Sequence, residues 1–190
     1  MRILLKMITY RLFKSTDNCR TFEEVGVVPF ADTLGRAYGN MIVTPEGKLI
    51  VYAYNVNDEQ NLDYIVSEDF GQTWGKSEVC FVEKRIRNPQ VGILDGQYIL
   101  HGRAGKTESG TAWFVLYTSQ NGIEWDEGTV LIGHRPASFY SSNLTVTLPN
   151  GKQRMFVKYS ENYSIDPEDL NRPIWDGKVN SMLFTIDTVD

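Results

Sequence analysis

The chain has 190 residues, 42% of them hydrophobic, which is enough to bury a core in a compact domain. Its aromatic content of 12%, with Tyr and Phe outnumbering Trp, and its 16 glycines favour an all-β protein of strands and turns. The net charge of −5 excludes the basic surface typical of nucleic-acid binding, and the sequence lacks the run of about eighteen apolar residues that a membrane-spanning helix needs.

The chain opens on residues 1–8, which we interpret as a strand. Lys6 interrupts this short apolar stretch and no small-residue cleavage site follows it, so it does not have the form of a secretory signal. The sequence as it stands favours the cytoplasm, whereas an upstream start would indicate a secreted or periplasmic protein. The location therefore stays open.

Three similar segments recur along the chain at nearly constant spacing. They share a hydroxyl residue, an Asp-like residue two positions later, a Gly, a Thr-like residue and a terminal aromatic residue. Their first residues, at 15, 67 and 118, lie 52 and 51 positions apart. The segments are Ser15–Phe22, Ser67–Trp74 and Thr118–Trp125, with a weaker fourth start at Thr185. An interval of about fifty residues indicates a repeat architecture.

The residue types of these segments are those of a tight hairpin turn. An Asp side chain accepts backbone N–H groups, Gly permits a positive φ, and the terminal aromatic residue packs between layers. We therefore predict that Asp17, Asp69 and Trp74 shape turns and do not contact a ligand.

Between the repeated segments the sequence alternates predicted strands and turns. In the first interval, residues 40–44 and 48–54 are rich in β-branched and aromatic residues and flank the turn 45–47. The later intervals have turns at Asp95-Gly96 and Pro149-Asn150-Gly151 in the same place. With one strand entering and one leaving each repeated segment, this makes four antiparallel strands per repeat.

The repeated segments resemble the Asp-box of sialidases and related β-propellers, and Ser67–Trp74 matches that motif at every defined position. The resemblance implies an all-β propeller whose four-stranded antiparallel blades carry Asp-box hairpins. About thirteen strands are predicted, so we expect three to four blades, the carboxy-terminal half of a six-bladed ring, in one partial domain. A small closed ring of about four blades is the alternative. The approximate blade boundaries are 1–31, 32–82, 83–133 and 134–190.

An incomplete ring would leave sheet edges and the flat faces of its terminal blades open. Such surfaces favour association with other chains. We therefore expect the chain to self-associate, with a two-fold dimer as the simplest closed arrangement.

The segment Phe139-Tyr140-Ser141 is similar to the start of the final blade of sialidases, where a tyrosine is the nucleophile. The resemblance thus places Tyr140 in the nucleophile position. A neutral phenol serves there because the substrate carries a carboxylate beside the reacting carbon. The glutamate that activates the tyrosine in the family corresponds to Asn88, and an amide cannot accept the phenolic proton as a carboxylate would.

The resemblance also supplies a candidate for carboxylate binding. Arg103 matches a family arginine that binds the substrate carboxylate, a task suited to bidentate guanidinium pairing. Arg36, Arg87 and Arg135 lie near the predicted starts of inner strands and are expected to face the central cavity, with solvated loop cations as the alternative.

Three functions remain open at this stage. The first is an exo-acting glycoside hydrolase on sialic acid or a related acidic sugar, the second a non-catalytic carbohydrate-binding module, and the third an inert fragment. Asn88, together with the lack of counterparts for the family's first arginine and acid/base aspartate, indicates that the chain alone is not a competent enzyme. No metal or cofactor is expected, because His101 and His134 have no ligands around them at suitable spacing.

Overall fold

A computed structural model of the chain describes residues 9–31, 35–56, 60–104, 112–135, 139–161, 164–165, 173–174 and 180–187. These ranges contain fifteen strands and no helix. None of the described residues belongs to a helix that is long and apolar enough to cross a membrane.

Thirteen of the strands form four antiparallel sheets in chain order. Sheet 1 contains β1 (Tyr10–Lys14) and β2 (Glu23–Val28). Sheet 2 contains β3 (Arg36–Val43), β4 (Leu49–Asn55), β5 (Asn61–Ser67) and β6 (Glu78–Phe81). Sheet 3 contains β7 (Arg87–Leu94), β8 (Gln97–Arg103), β9 (Ala112–Ser119) and β10 (Thr129–Arg135). Sheet 4 contains β11 (Ser141–Thr147), β12 (Gln153–Glu161) and β15 (Asn180–Asp187), while β13 (Ser164–Ile165) and β14 (Pro173–Ile174) form a separate short pair.

The strands of each sheet follow one another through short turns that the sequence predicts. Asp95 and Gly96 have φ values of 47° and 81°, as a two-residue hairpin turn that matches the strand twist requires. The turns from Thr44 to Lys48 and from Leu148 to Lys152 are alike, since in each the first amide donates to the last carbonyl at 2.8 Å. The strands that these turns connect are hydrophobic. Strand β4, for example, is buried along its whole length.

Neighbouring sheets pack face to face through three hydrophobic clusters, and β7 lies between β3 and β11 and contacts both. This stacking confirms the predicted fold class, an all-β partial propeller with antiparallel blades. The thirteen strands of its four sheets match the number predicted. The clusters include Val28, Val51 and Ile65 between sheets 1 and 2, Tyr52, Leu62, Leu100 and Tyr117 between sheets 2 and 3, and Ile99, Phe114, Met155 and Val157 between sheets 3 and 4.

The first two repeated segments form hydrogen-bonded turns between strands β1 and β2 and between β5 and β6. Asp17 Oδ1 accepts the amide of Thr21 at 2.9 Å, and Asp17 Oδ2 accepts its hydroxyl at 2.7 Å. Asp69 binds Thr73 in the same way, at 2.8 Å and 2.5 Å. Hydrogen bonds from these threonines lower the pKa of both carboxyls to about 2. The predicted turn-forming role of both aspartates is confirmed.

The third turn, between β9 and β10, differs from the prediction by one residue. The hydroxyl of this turn is Ser119 rather than Thr118, because the Gly122 amide donates to Ser119 Oγ at 3.0 Å. The side-chain acceptor is Asn121 rather than Gln120. Its Oδ1 accepts the amides of Ile123 and Glu124, both at 2.9 Å. This turn is one residue shorter than the others between acceptor and aromatic residue. Trp125 nevertheless follows the third strand of its sheet as Trp74 does, so the two tryptophans occupy equivalent corners.

Candidate functional site

The candidate site lies where the first strands of sheets 2, 3 and 4 begin. β3 starts at Arg36, β7 at Arg87, and β11 directly after Tyr140. Because β7 contacts both β3 and β11, these starts share one end of the stack. Strand β8 ends there as well, with Arg103 opposite Arg87 in the strand register.

Two tyrosines from different sheets meet at this end. The hydroxyl oxygens of Tyr38 and Tyr140 are 3.4 Å apart, and their rings meet edge to face with centroids separated by 6.2 Å. Both side chains are nearly half exposed, at 48% and 44%. The backbone of Tyr140 is held by Ser160, whose hydroxyl accepts the Tyr140 amide at 3.1 Å and whose amide donates to the Tyr140 carbonyl at 2.9 Å.

Backbone irregularities repeat at the beginning of all three first strands. Tyr38, Asn88 and Phe139 have positive φ values of 49°, 52° and 44°. Residues other than glycine seldom adopt positive φ values. The register between β3 and β4 shifts between Ala37 and Gly39, so Tyr38 is the extra residue of a bulge. Bulges re-aim side chains near functional sites, and this one brings the Tyr38 ring toward Tyr140.

Arginines extend the tyrosine pair toward sheet 3. The guanidinium carbon of Arg87 lies 5.3 Å from the centroid of the Tyr54 ring, within the range of a cation–π contact. The Tyr54 ring centroid lies 6.5 Å from that of Tyr38. Arg87 and Arg103 are both partly buried. We call these five residues, Arg87, Arg103, Tyr54, Tyr38 and Tyr140, the tyrosine–arginine cluster.

Arg36, predicted to face the central cavity, instead lies in the interior. Its Nε donates to Asp63 Oδ2 at 2.6 Å, and both side chains are buried. A further guanidinium nitrogen donates to the Ala31 carbonyl, and the group stacks 4.9 Å from the Phe30 ring centroid. The Arg36 guanidinium is thus buried and paired with Asp63, which differs from the expectation that it faces the central cavity.

The structure describes the side chain of Asn88 but not that of Arg135, the other two predicted site residues. Asn88 is buried at the bulge of β7. Arg135 ends β10, but its side chain lies outside the described residues. No group of three or more His, Cys, Asp or Glu side chains able to hold a metal ion occurs in the described part of the chain.

Sequence reasoning missed the contact of Tyr38 with Tyr140. Tyr38 lies 102 residues before Tyr140, close to twice the repeat interval, so the repeat itself contains the signal that could have found it. Tyr54 carries no comparable signal, because a tyrosine in a fully buried strand is ordinary core composition.

Comparison with known proteins supports the fold. No protein-family model and no curated protein sequence matches the chain. The α-L-arabinofuranosidase Arb93A of Fusarium graminearum superimposes on 93% of this chain over 54% of its own, with a TM-score of 0.62 and 14% identity. The α-L-arabinanase of Penicillium chrysogenum, solved with arabinobiose, matches 93% of this chain over 59% of its own, with a TM-score of 0.58 and 16% identity. The NanB sialidase of Streptococcus pneumoniae matches 95% over 29%, with a TM-score of 0.58 and 17% identity.

These likenesses define the class of fold: the chain has the sialidase-like β-propeller fold also found in these glycoside hydrolases. At such low identity they establish the fold alone and no particular family. The chain spans about half the length, or less, of the structures it matches.

Proposed function

We propose that the chain is a sugar-binding portion of a sialidase-like propeller and holds an acidic sugar, sialic acid or a relative, at the tyrosine–arginine cluster. The observation that most directly supports this proposal is the contact between Tyr38 of sheet 2 and Tyr140 at the start of sheet 4. Tyrosine rings present apolar faces and a hydroxyl, a combination suited to the mixed surface of a sugar ring.

The arginines account for the acidic character of the proposed ligand. Arg87 and Arg103 stand opposite each other on β7 and β8, at the end of the stack where the two tyrosines meet. A carboxylate bound between them would accept bidentate hydrogen bonds from the guanidinium groups. The chain as a whole has a net charge of −5, so the two neighbouring arginines differ in charge from the protein's average composition.

Binding without turnover is the form of the proposal for this chain alone. Asn88 takes the position that the resemblance assigns to the activating glutamate, and its side-chain amide cannot accept the phenolic proton as a carboxylate would. A tyrosine nucleophile needs a base to activate it.

Titration with sugars tests the proposal. Two-dimensional NMR of the labelled chain should show saturable shifts with sialic acid and none with the neutral arabinobiose. Arg103→Ala and Tyr38→Ala should abolish them, while the matched control Arg154→Ala, on the surface of sheet 4, should bind normally. Saturation by arabinobiose instead would favour a neutral-sugar site, and no shift with either sugar would favour the inert fragment.

An activity assay tests the absence of turnover. The unsubstituted chain should release no fluorophore from a fluorogenic sialoside. Release that Tyr140→Phe abolishes would overturn the binding-only form of the proposal and restore the enzyme.

A further inference from the structure

We propose that Tyr38 and Tyr140 form a site of oxidative modification, at which a one-electron oxidant joins the two rings by a dityrosine bond within the chain. The class of oxidant is a haem peroxidase acting with hydrogen peroxide. The proposal concerns the chemistry of two side chains and does not depend on sugar binding. It rests on the contact between the two hydroxyls, on their exposure, and on the backbone contacts that hold both residues.

The two phenols meet at the ends that would react. The hydroxyl oxygens of Tyr38 and Tyr140 are 3.4 Å apart, whereas their ring centroids are 6.2 Å apart, so the rings converge toward their hydroxyl ends. A phenoxyl radical carries much of its unpaired electron on the two carbons beside the oxygen-bearing carbon. The torsion that turns a tyrosine ring is broad, so two half-exposed rings can rotate until these carbons touch.

Exposure distinguishes these two tyrosines from the others. The chain has 10 tyrosines, of which Tyr163 lies outside the described residues. Among the described tyrosines, only Tyr38 and Tyr140 are exposed, and Tyr10 is partly buried. The remaining described tyrosines are buried: Tyr52, Tyr54, Tyr64, Tyr98, Tyr117 and Tyr159. An oxidant in solvent reaches exposed phenols first, and here the two exposed phenols are each other's neighbours.

The backbones of both residues are held in place. Ser160 accepts the Tyr140 amide at 3.1 Å and donates its own amide to the Tyr140 carbonyl at 2.9 Å. Tyr38 is the extra residue of the bulge in β3, and its carbonyl accepts the Tyr10 hydroxyl at 3.4 Å. Groups held in contact react with each other faster than with the same groups on other molecules. Coupling within one chain should therefore outcompete coupling between chains.

The coupling removes two electrons and two protons from the chain. Each phenol loses one electron to the oxidised haem and its hydroxyl proton to solvent, which gives two neutral phenoxyl radicals. A carbon–carbon bond forms between one carbon beside the oxygen-bearing carbon of each ring. The hydrogen on each bonded carbon then leaves as a proton, and each oxygen takes up a proton to restore the phenol. Hydrogen peroxide accepts the two electrons and two protons through the haem and becomes two water molecules.

The new bond would tie sheet 2 to the start of sheet 4. Sheet 3 lies between these sheets, because β7 contacts both β3 and β11. The bond closes a loop between residues 102 positions apart in the chain. A cross-link over a long loop restricts the unfolded chain and so favours the folded one. The coupled monomer should therefore melt at a higher temperature than the untreated chain.

Oxidation of the intact chain at low concentration, with a haem peroxidase and hydrogen peroxide, tests the proposal. The product should be a single chain with dityrosine fluorescence and a mass lower by two hydrogen atoms. Tandem mass spectrometry should assign the bond to Tyr38 and Tyr140. Tyr38→Phe and Tyr140→Phe should each abolish the fluorescence of the single chain. The matched control Tyr10→Phe, which changes a tyrosine beside Tyr38, should couple as the parent does.

A second control removes the contact without removing a tyrosine. When the chain is digested by a protease before oxidation, the bond between Tyr38 and Tyr140 should fall to the level of random pairs of tyrosines. An equal yield from the digest and the intact chain would show that the fold does not direct the coupling. Products of twice the chain mass, fluorescence retained in Tyr38→Phe or Tyr140→Phe, or an oxidised chain without dityrosine would each overturn the proposal.

Discussion

The imidazole of His101 in sheet 3 and the amide of Asn143 in sheet 4 are joined across the sheet boundary, with Nε2 and Nδ2 2.9 Å apart. The amide nitrogen donates, so Nε2 accepts, and Nδ1 carries the proton that it shares with Ser141 Oγ at 3.0 Å. Burial lowers the pKa of His101 to about 3. The ring is therefore neutral throughout the physiological range and couples the two sheets.

The His101 bridge predicts that the stability of the fold falls in mild acid. The unfolded chain binds a proton near pH 6.5 and the folded chain only near pH 3, so stability is complete above pH 6.5 and declines as pH falls toward 3. The expected slope is about 1.4 kcal/mol per pH unit. Urea midpoints at pH 7.5 and 5 measure it, and His101→Gln should flatten the difference. Equal midpoints in the parent at both values would contradict the assignment.

The buried ion pair of Arg36 and Asp63 predicts a structural effect separate from ligand binding. Arg36→Ala leaves the Asp63 carboxylate buried without its cation and should cost about 3–5 kcal/mol in unfolding free energy. The double variant Arg36→Met/Asp63→Leu should recover much of that loss. Arg154→Ala removes an exposed ion pair and should barely change stability. Urea unfolding of the three variants measures these changes in unfolding free energy. An Arg36→Ala protein that keeps its stability and loses only sugar binding would indicate that Arg36 belongs to the sugar-binding site.

The close approach at Gly39 predicts that even one methyl group is unfavourable there. A Cβ at this position would lie 2.8 Å from the Tyr52 carbonyl oxygen and 2.9 Å from the Tyr10 ring. Gly39→Ala should therefore lower stability by about 1–3 kcal/mol. The control is Gly26→Ala, where a Cβ meets nothing within 4 Å. Thermal unfolding should separate the two variants, and equal melting temperatures would show that the bulge carrying Tyr38 tolerates rearrangement.

The third repeated turn predicts a non-additive pair of substitutions. Asn121→Asp alone should not stabilise the fold, because the amide donates to Glu124 Oε2 at 3.3 Å and a carboxylate would face that carboxylate instead. Asn121→Asp/Glu124→Thr supplies the same carboxylate acceptor and hydroxyl donor as the second turn, three rather than four residues apart, and should raise the melting temperature above that of either single variant. Calorimetry of the parent, the two single variants and the double variant measures the interaction energy between the two side chains. Strict additivity would mean that the two side chains do not interact.

Local patterns in the sequence were sufficient for the architecture. The spacing of the repeated segments, the hairpin turns between them and the composition of the strands predict antiparallel sheets in chain order, because each sheet forms from residues near one another in the chain. The same local chemistry predicts that Asp17 and Asp69 close turns. It places the third turn one residue early, since Thr118 and Ser119 are both hydroxyl residues and only the hydrogen bonds distinguish them.

Tertiary packing decided which side chains meet. Arg36 and Arg87 look alike in sequence, as each begins a first strand, yet one is buried against Asp63 and the other stacks on Tyr54. The contact of Tyr38 with Tyr140 depends on how three sheets stack and on a strained bulge at Tyr38. The periodicity of a sequence determines which residues share a sheet, whereas distances between side chains of different sheets depend on the packing of whole faces against one another.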